Sequence, residues 1–130
     1  MTKTNDYRST WDTYTSSWKA ATREEKTSLL GDSVRKDATY TDPLAQVSTR
    51  EDLIGYMLEF HKQVPGGHFR TKSFLAHNNK SIAEWDMVAG DETVIGEGIS
   101  YGEYDDQGRL TSMTGFFETP DSETPGEATP

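Results

Sequence analysis

Asp37-Ala38-Thr39-Tyr40-Thr41-Asp42-Pro43 reads as a short strand that stops at an acid fixed by the proline behind it. Proline locks its own φ, has no backbone N–H and pushes the preceding residue toward extended conformations. The stretch therefore predicts Asp42 at a strand end, projecting from it rather than lying inside a regular element. Tyr40 has the same parity along the strand, so both side chains share one face.

Working outward, the preceding chain has helical period. Tyr7, Trp11, Tyr14 and Trp18 recur at i, i+4, i+7 and i+11, which predicts a helix ending near Ala21 with an aromatic stripe turned inward. Thr22-Arg23-Glu24-Glu25 has the capping-box form, and Leu29-Leu30-Gly31 supplies an apolar anchor and a left-handed stop, so a second short helix fits there. Beyond the opening stretch, Ser48-Thr49-Arg50-Glu51 is another capping box. It starts a third helix with Leu53, Ile54, Met57, Leu58 and His61 on one side, ended by Val64-Pro65-Gly66-Gly67.

The period then changes. Phe69 to His77, Ser81 to Ala89, Thr93 to Tyr104 and Arg109 to Glu118 are separated by Asn78-Asn79-Lys80, Gly90-Asp91-Glu92 and Asp105-Asp106-Gln107-Gly108. These separators are rich in hairpin-turn residues, so the segments read as consecutive antiparallel strands. Three N-terminal helices and a meander make an α+β fold, a curved antiparallel sheet with helices on one face. In the second meander strand Ala83, Trp85, Met87 and Ala89 form the face to be buried, and Glu84 and Asp86 the other. In the third, Gly96, Gly98 and Gly102 alternate with Ile95, Glu97, Ile99 and Tyr101. With the glycines inward, the missing side chains leave room for a ligand, and Ile95, Ile99 and Tyr101 face outward as a subunit interface. The opposite assignment fits the alternation as well.

The 130 residues suit one domain over 1–118, followed by a tail, 119–130, without any large apolar residue. That acidic tail cannot offset its ordering entropy by burial and is expected to be disordered. The formal net charge is −9, and four of the acids, Glu118, Asp121, Glu123 and Glu127, lie at this end. No cluster of Lys and Arg interleaved with aromatics exists, so nucleic acid is not an expected partner. No apolar run approaches the roughly 18 residues of a membrane span, and none near the N-terminus has the signal-peptide form. The expectation is a cytoplasmic protein without a membrane partner. Cysteine is absent, which excludes disulfides and thiolate chemistry. His61, His68 and His77 are scattered without metal-ligand spacing, and Gly96 and Gly98 lie within a strand rather than before a helix, so neither a metal nor another cofactor is expected.

Several of these segments together resemble the SnoaL-like branch of the nuclear transport factor 2 superfamily, which includes polyketide cyclases, ketosteroid isomerase and limonene epoxide hydrolase. The carriers are the aromatic first helix, Tyr40-Thr41-Asp42-Pro43, the helix from Arg50 to Val64 with Pro65-Gly66-Gly67-His68-Phe69 after it, and Trp85-Asp86-Met87. Asp106-Gln107-Gly108-Arg109-Leu110 leading to Met113-Thr114-Gly115-Phe116-Phe117 completes them, so the likeness runs from about Trp11 to Phe117. It implies a cone-shaped domain whose helices and sheet enclose a pocket. In ketosteroid isomerase the aspartate of a similar Asp-Pro motif shuttles the proton, and the resemblance gives that place to Asp42. The tyrosine and second aspartic acid that hold the oxyanion there correspond to Trp18, with Tyr14 one turn earlier, and to Ser100. The last strand carries no carboxylate of the kind expected in the cyclases, and no Asp-Arg-Asp set like that of the epoxide hydrolase is evident. The same correspondence turns Met113, Gly115 and Phe117 inward.

The expected catalytic set is Asp42 as base, Tyr14 or Trp18 as donor to an enolate oxygen, and His77 as the group that returns the proton. Trp18, Tyr40, Met57, Trp85, Met87, Ser100, Met113 and Phe117 are expected to line the substrate pocket. The implied activity is cofactor-independent cyclase or isomerase chemistry on a hydrophobic carbonyl-bearing or polyketide-like molecule, in a homodimer formed through the outer sheet face. A non-catalytic carrier of a hydrophobic small molecule is the alternative. Each residue also has a plainer role open to it: aspartate before proline opens turns, aromatic stripes pack cores, and a histidine at a strand end meets solvent.

Overall fold

A computed structural model describes residues 6–118, so the expectation for the tail 119–130 lies outside the described residues. The elements are α1 (Tyr7–Lys19), α2 (Arg23–Ser33), β1 (Val34–Asp42), β2 (Ala45–Val47), α3 (Arg50–Gln63), β3 (His68–His77), β4 (Lys80–Val88), β5 (Val94–Tyr104) and β6 (Leu110–Phe116). Local chemistry explains most of the boundaries. Thr22 Oγ1 accepts from Glu25 N at 3.1 Å and Glu25 Oε1 accepts from Thr22 N at 3.3 Å, the reciprocal box that starts α2. The α3 cap is Thr49, accepting from Asp52 N, one residue later than the expected box. Asn78 and Asn79 take φ of 47° and 63° in the β3–β4 turn, a conformation that asparagine tolerates.

Two sequence expectations need correction here. Gly31 is no stop: α2 runs on to Ser33 and passes directly into β1, because fully buried Leu30 and Val34 bracket that last turn. The sheet is also mixed rather than antiparallel. Its order is β2-β1-β6-β5-β4-β3, with β1 antiparallel to β2 but parallel to β6. Strands β3 to β6 are the expected meander. After three hairpins β6 runs in the direction of β1, and Tyr40 pairs with Met113 across the parallel join. This pairing brings the Asp42 end of β1 beside Gly115.

The core lies between the helices and the inner sheet face. It includes Trp11, Tyr14 and Trp18 from α1, Leu53, Ile54 and Met57 from α3, and Ala83, Leu110 and Met113 from the sheet. Lys26 is buried among them. Its ammonium donates to the carbonyls of Ser17 at 2.9 Å and Ala20 at 2.7 Å, joining the C-terminal end of α1 to α2, and burial pushes its pKa down to about 8.

The glycine side of β5 faces inward, as the first of the two assignments has it, with Gly102 buried and Ile95 and Ile99 exposed. The consequence drawn for Gly98 and Gly102 does not hold. A Cβ on Gly98 would lie 2.5 Å from both Cη2 and Cζ2 of Trp85, and one on Gly102 would lie 3.0 Å from Leu110 and from Ser81 Oγ. At these two positions the absent side chain admits neighbouring side chains rather than a ligand.

Candidate functional site

A cavity of about 320 Å³ opens between α1, α3 and the inner sheet face. Helix α1 contributes Trp11, Tyr14 and Trp18 to its wall, and α3 contributes Tyr56 and Phe60. Strand β1 supplies Tyr40 and Asp42, the meander supplies Phe69, Trp85, Met87 and Ser100, and Phe117 follows β6. Trp18 is the hub: its ring centroid lies 5.8 Å from Tyr40, 6.1 Å from Tyr56, 5.6 Å from Phe60 and 5.2 Å from Phe69, the last three edge-on. Edge-to-face pairs of this kind rigidify an aromatic wall. His61 Nε2, 2.6 Å from Trp18 O and 3.1 Å from Gly67 O, braces the C-terminal turn of α1 from behind.

Asp42 sits half-buried at the edge of this aromatic lining. Its Oδ1 accepts from the backbone N–H groups of Leu44 at 2.8 Å and Ala45 at 3.0 Å, the turn that Pro43 predicts. Its Oδ2 accepts from Tyr40 Oη at 2.5 Å, and Tyr56 Oη straddles the two oxygens at 2.9 and 3.1 Å. An ionised carboxylate has about four acceptor positions, and four protein donors occupy them. Asp42 is thus both the opener of a turn and the polar centre of the cavity rim.

The three phenols of the site stay protonated well beyond neutral pH. Burial pushes Tyr14, Tyr40 and Tyr56 upward, and the neighbouring Asp42 adds to this in each case. Tyr14 also accepts from Trp18 Nε1 at 3.1 Å, an N–H that favours the phenolate and works against its burial. All three are hydroxyl donors rather than bases. The charged residues of the wall are Asp42 and the exposed Glu59; among the described residues it carries no Lys, Arg or His. No group of three His, Cys, Asp or Glu among the described residues is placed to hold a metal ion, and no helix there is long and apolar enough to cross a membrane.

Of the residues expected from sequence, Asp42, Tyr14, Trp18, Tyr40, Trp85, Met87, Ser100 and Phe117 meet at this cavity. Three do not. Met57 is fully buried behind α1, 3.9 Å from Ser17 Oγ, and Met113 is buried in the sheet beneath the cavity wall. His77 ends β3, exposed, with Nδ1 3.0 Å from Asn78 Nδ2, in a groove with Tyr7 and Phe74. It is no acid–base partner for Asp42, because it lies at the opposite end of β3 from Phe69, the β3 residue that lines the cavity, and is not part of the wall. Sequence reasoning missed Tyr56 and Phe60. Their i, i+4 spacing on α3 was the available signal, masked by the more apolar Leu53, Ile54 and Met57 side of the same helix.

The sequence model of the SnoaL-like domain matches residues 16–117. Among solved structures, a SnoaL-like family protein of Agrobacterium tumefaciens, described as a candidate isomerase, superposes with a TM-score of 0.80 at 20% identity, over 88% of this chain and 99% of that one. A candidate SnoaL-like polyketide cyclase of Jannaschia gives 0.73 at 11% identity, over 97% and 94%. A nuclear transport factor 2-like protein of unknown function from Cytophaga hutchinsonii gives 0.66 at 12%, over 86% and 89%. At such identities the likeness is one of fold. No curated protein matches the sequence.

Proposed function

The chain belongs to the SnoaL-like domain family, and from that premise we propose that it is a cofactor-independent enzyme performing acid–base chemistry on a small hydrophobic carbonyl compound. One observation carries the proposal: a single aromatic cavity holds a hydrogen-bonded carboxylate, Asp42, and a buried, neutral phenol, Tyr14. In the reaction Asp42 takes a proton from a carbon beside the ligand's carbonyl. The C–H electron pair becomes the C=C bond of an enolate, and the Tyr14 hydroxyl donates to the oxygen on which charge develops. Trp18 Nε1–H, already donating to Tyr14 at 3.1 Å, makes that hydroxyl a stronger donor. Asp42 then returns the proton to carbon at a conjugated position in an isomerisation or, where the enolate carbon attacks a second carbonyl of the ligand to close a ring, to the alkoxide oxygen that this C–C bond leaves, so neither outcome needs a second base. The three-centre bond from half-exposed Tyr56 is the one that ligand entry displaces to free an acceptor position.

The experiment is hydrogen–deuterium exchange beside the carbonyl of 2-tetralone in D2O, followed by NMR. Wild-type protein accelerates it over buffer, and Asp42→Asn lowers that acceleration by about 100-fold or more, as expected for loss of a positioned base. Equal rates with both proteins would sink the assignment. The carrier reading is favoured by a different observation, the complete occupation of Asp42 by protein donors. It is the one to adopt if 2-tetralone binds yet exchanges no faster than in buffer.

A further inference from the structure

The cavity wall sets aromatic rings around a carboxylate whose charge no cation balances. The groups bonded to Asp42 are the backbone N–H groups of Leu44 and Ala45 and the hydroxyls of Tyr40 and Tyr56, all of them neutral. Asp42 takes part in none of the ion pairs among the described residues. Exposed Glu59 is held by Lys62 at 3.1 Å, so Asp42 supplies the charge that acts inside. Its field crosses the cavity, since it adds to the upward push on Tyr14 of α1 as well as on Tyr40 and Tyr56. Neutral donors fill the lone pairs of a carboxylate without cancelling its charge, and apolar surroundings screen what remains only weakly. The rings act in the same sense. Trp18, Tyr40, Tyr56, Phe60, Phe69 and Trp85 each carry a negative π face, and such faces attract a cation within about 6 Å.

The hydrogen bonds of Asp42 decide which kind of cation fits. A primary ammonium brings three N–H donors, has to displace Tyr56 to place one of them on the carboxylate, and leaves the others facing rings. A nitrogen whose hydrogens are all replaced by alkyl groups has no donor to satisfy. It presents an apolar surface to the rings and asks only for opposite charge.

We propose that the cavity recognises a quaternary ammonium: a ligand with an apolar body and a fully alkylated, positively charged nitrogen held among the rings, with Asp42 as its counter-charge. Carboxylates and phosphates are refused, because Asp42 repels them and the wall offers them no cation. The inference deepens the catalytic reading by naming what else its carbonyl compound carries, and a positive nitrogen in the same cavity also stabilises the negative charge of an enolate. It rests on the cavity being a ligand site, and not on Asp42 being a base.

The test compares four probes built on one benzyl group: benzyltrimethylammonium, its uncharged carbon isostere neopentylbenzene, benzylammonium, and phenylacetate. Affinities are read from tryptophan emission, and a lower limit on Kd within its solubility suffices for the hydrocarbon. The quaternary cation is expected to bind about tenfold or more tightly than each of the others, the worth of a desolvated cation–π contact. Its N-methyl protons are expected to move upfield in the ring currents of the wall and to show nuclear Overhauser contacts with the indole protons of Trp18 or Trp85. Asp42→Asn is expected to weaken the quaternary cation about tenfold and leave the hydrocarbon unchanged. Equal or tighter binding of the hydrocarbon, of benzylammonium or of phenylacetate overturns the proposal, as does binding of the quaternary cation without the upfield shift. An unchanged affinity in Asp42→Asn also overturns it; if that variant does not fold, the wild-type affinities and the N-methyl shift decide alone. Exchange of 2-tetralone, which has no charge, can fail while the ammonium binds, and can proceed where the ammonium does not bind, so failure of the catalytic reading and failure of this one give different results.

Discussion

Replacing Gly98 with alanine isolates the contact that shapes the sheet side of the cavity. The new Cβ would lie 2.5 Å from two ring atoms of Trp85 and 2.7 Å from the carbonyl oxygen of Phe116. Carbon atoms settle at roughly 3.5–4.0 Å, so the ring has to retreat by about 1 Å, and the carbonyl belongs to the neighbouring strand and cannot follow. Overpacking of this kind costs about 1–3 kcal/mol. Retreat of the indole also strains its 2.9 Å bond to Ser100 Oγ, worth about 1 kcal/mol net. Against these stands the gain of about 0.5–1 kcal/mol from removing a glycine within a strand. The balance is a loss of about 2 kcal/mol. With a urea m-value of about 2 kcal/mol/M the unfolding midpoint should fall by about 1 M, measured by far-UV circular dichroism so that altered tryptophan emission does not interfere. Gly96→Ala is the control, because its Cβ would meet only Met87 Cβ at an ordinary 3.7 Å; its midpoint should stay level or rise. Equal midpoints for Gly98→Ala and wild type would refute the placement of Trp85 over Gly98.

Tyr40→Phe removes a 2.5 Å charge-assisted bond to Asp42 and should destabilise by about 2 kcal/mol in urea unfolding; Tyr56→Phe, at a site water reaches, should cost clearly less. Lys26 has a folded pKa of about 8 against 10.5 for the free side chain, so between those values the unfolded chain binds the extra proton, and this group makes stability rise with pH. The urea midpoint should accordingly increase from pH 7.5 to 9.5 in wild type more than in Lys26→Met, and an equal slope in both would remove Lys26 as the cause. On the outer face Ile99 is 40% and Phe116 59% exposed, directly paired across β5 and β6, with Ile82 and Ile95 also exposed on that face. A homodimer through this face is expected by sedimentation equilibrium, converted to monomer by Ile99→Glu; a monomeric wild type at high concentration would refute it.

What was legible in the sequence was what neighbouring residues decide. The caps at Thr22 and Thr49 and the left-handed Asn78-Asn79 turn depend on atoms within a few positions, and each lies within a residue of its expected place. The parallel join of β1 to β6 was not legible, because it ties Tyr40 to Met113 with no turn between them to fix direction. Parity told which side of a strand faces inward, but not whether inward means cavity or core: Met87 and Ser100 reach the opening, while Met113 stops in the packing beneath it. Gly98 shows the same limit from the other side, since an inward glycine is room or close approach according to where a tryptophan on the next strand lies.

Asp42 carries that limit into function. Its backbone partners, Leu44 and Ala45, follow from the Asp-Pro turn and are local. Tyr40 is two residues away on the same strand, but Tyr56 comes from a helix whose more apolar side hid it. The local backbone donors fix Oδ1 in the turn, Tyr40 holds Oδ2, and Tyr56 bridges the two. One oxygen thus serves the fold while its partner can be released without unfolding the turn. A base in an apolar cavity needs this division, since an acid held only by the ligand would be free to reorient, and one held at both oxygens by backbone would have no position to offer. Tyr56 is where the two demands separate. Its bond is shared between both oxygens, at 2.9 and 3.1 Å, and its loss leaves the turn donors and Tyr40 in place.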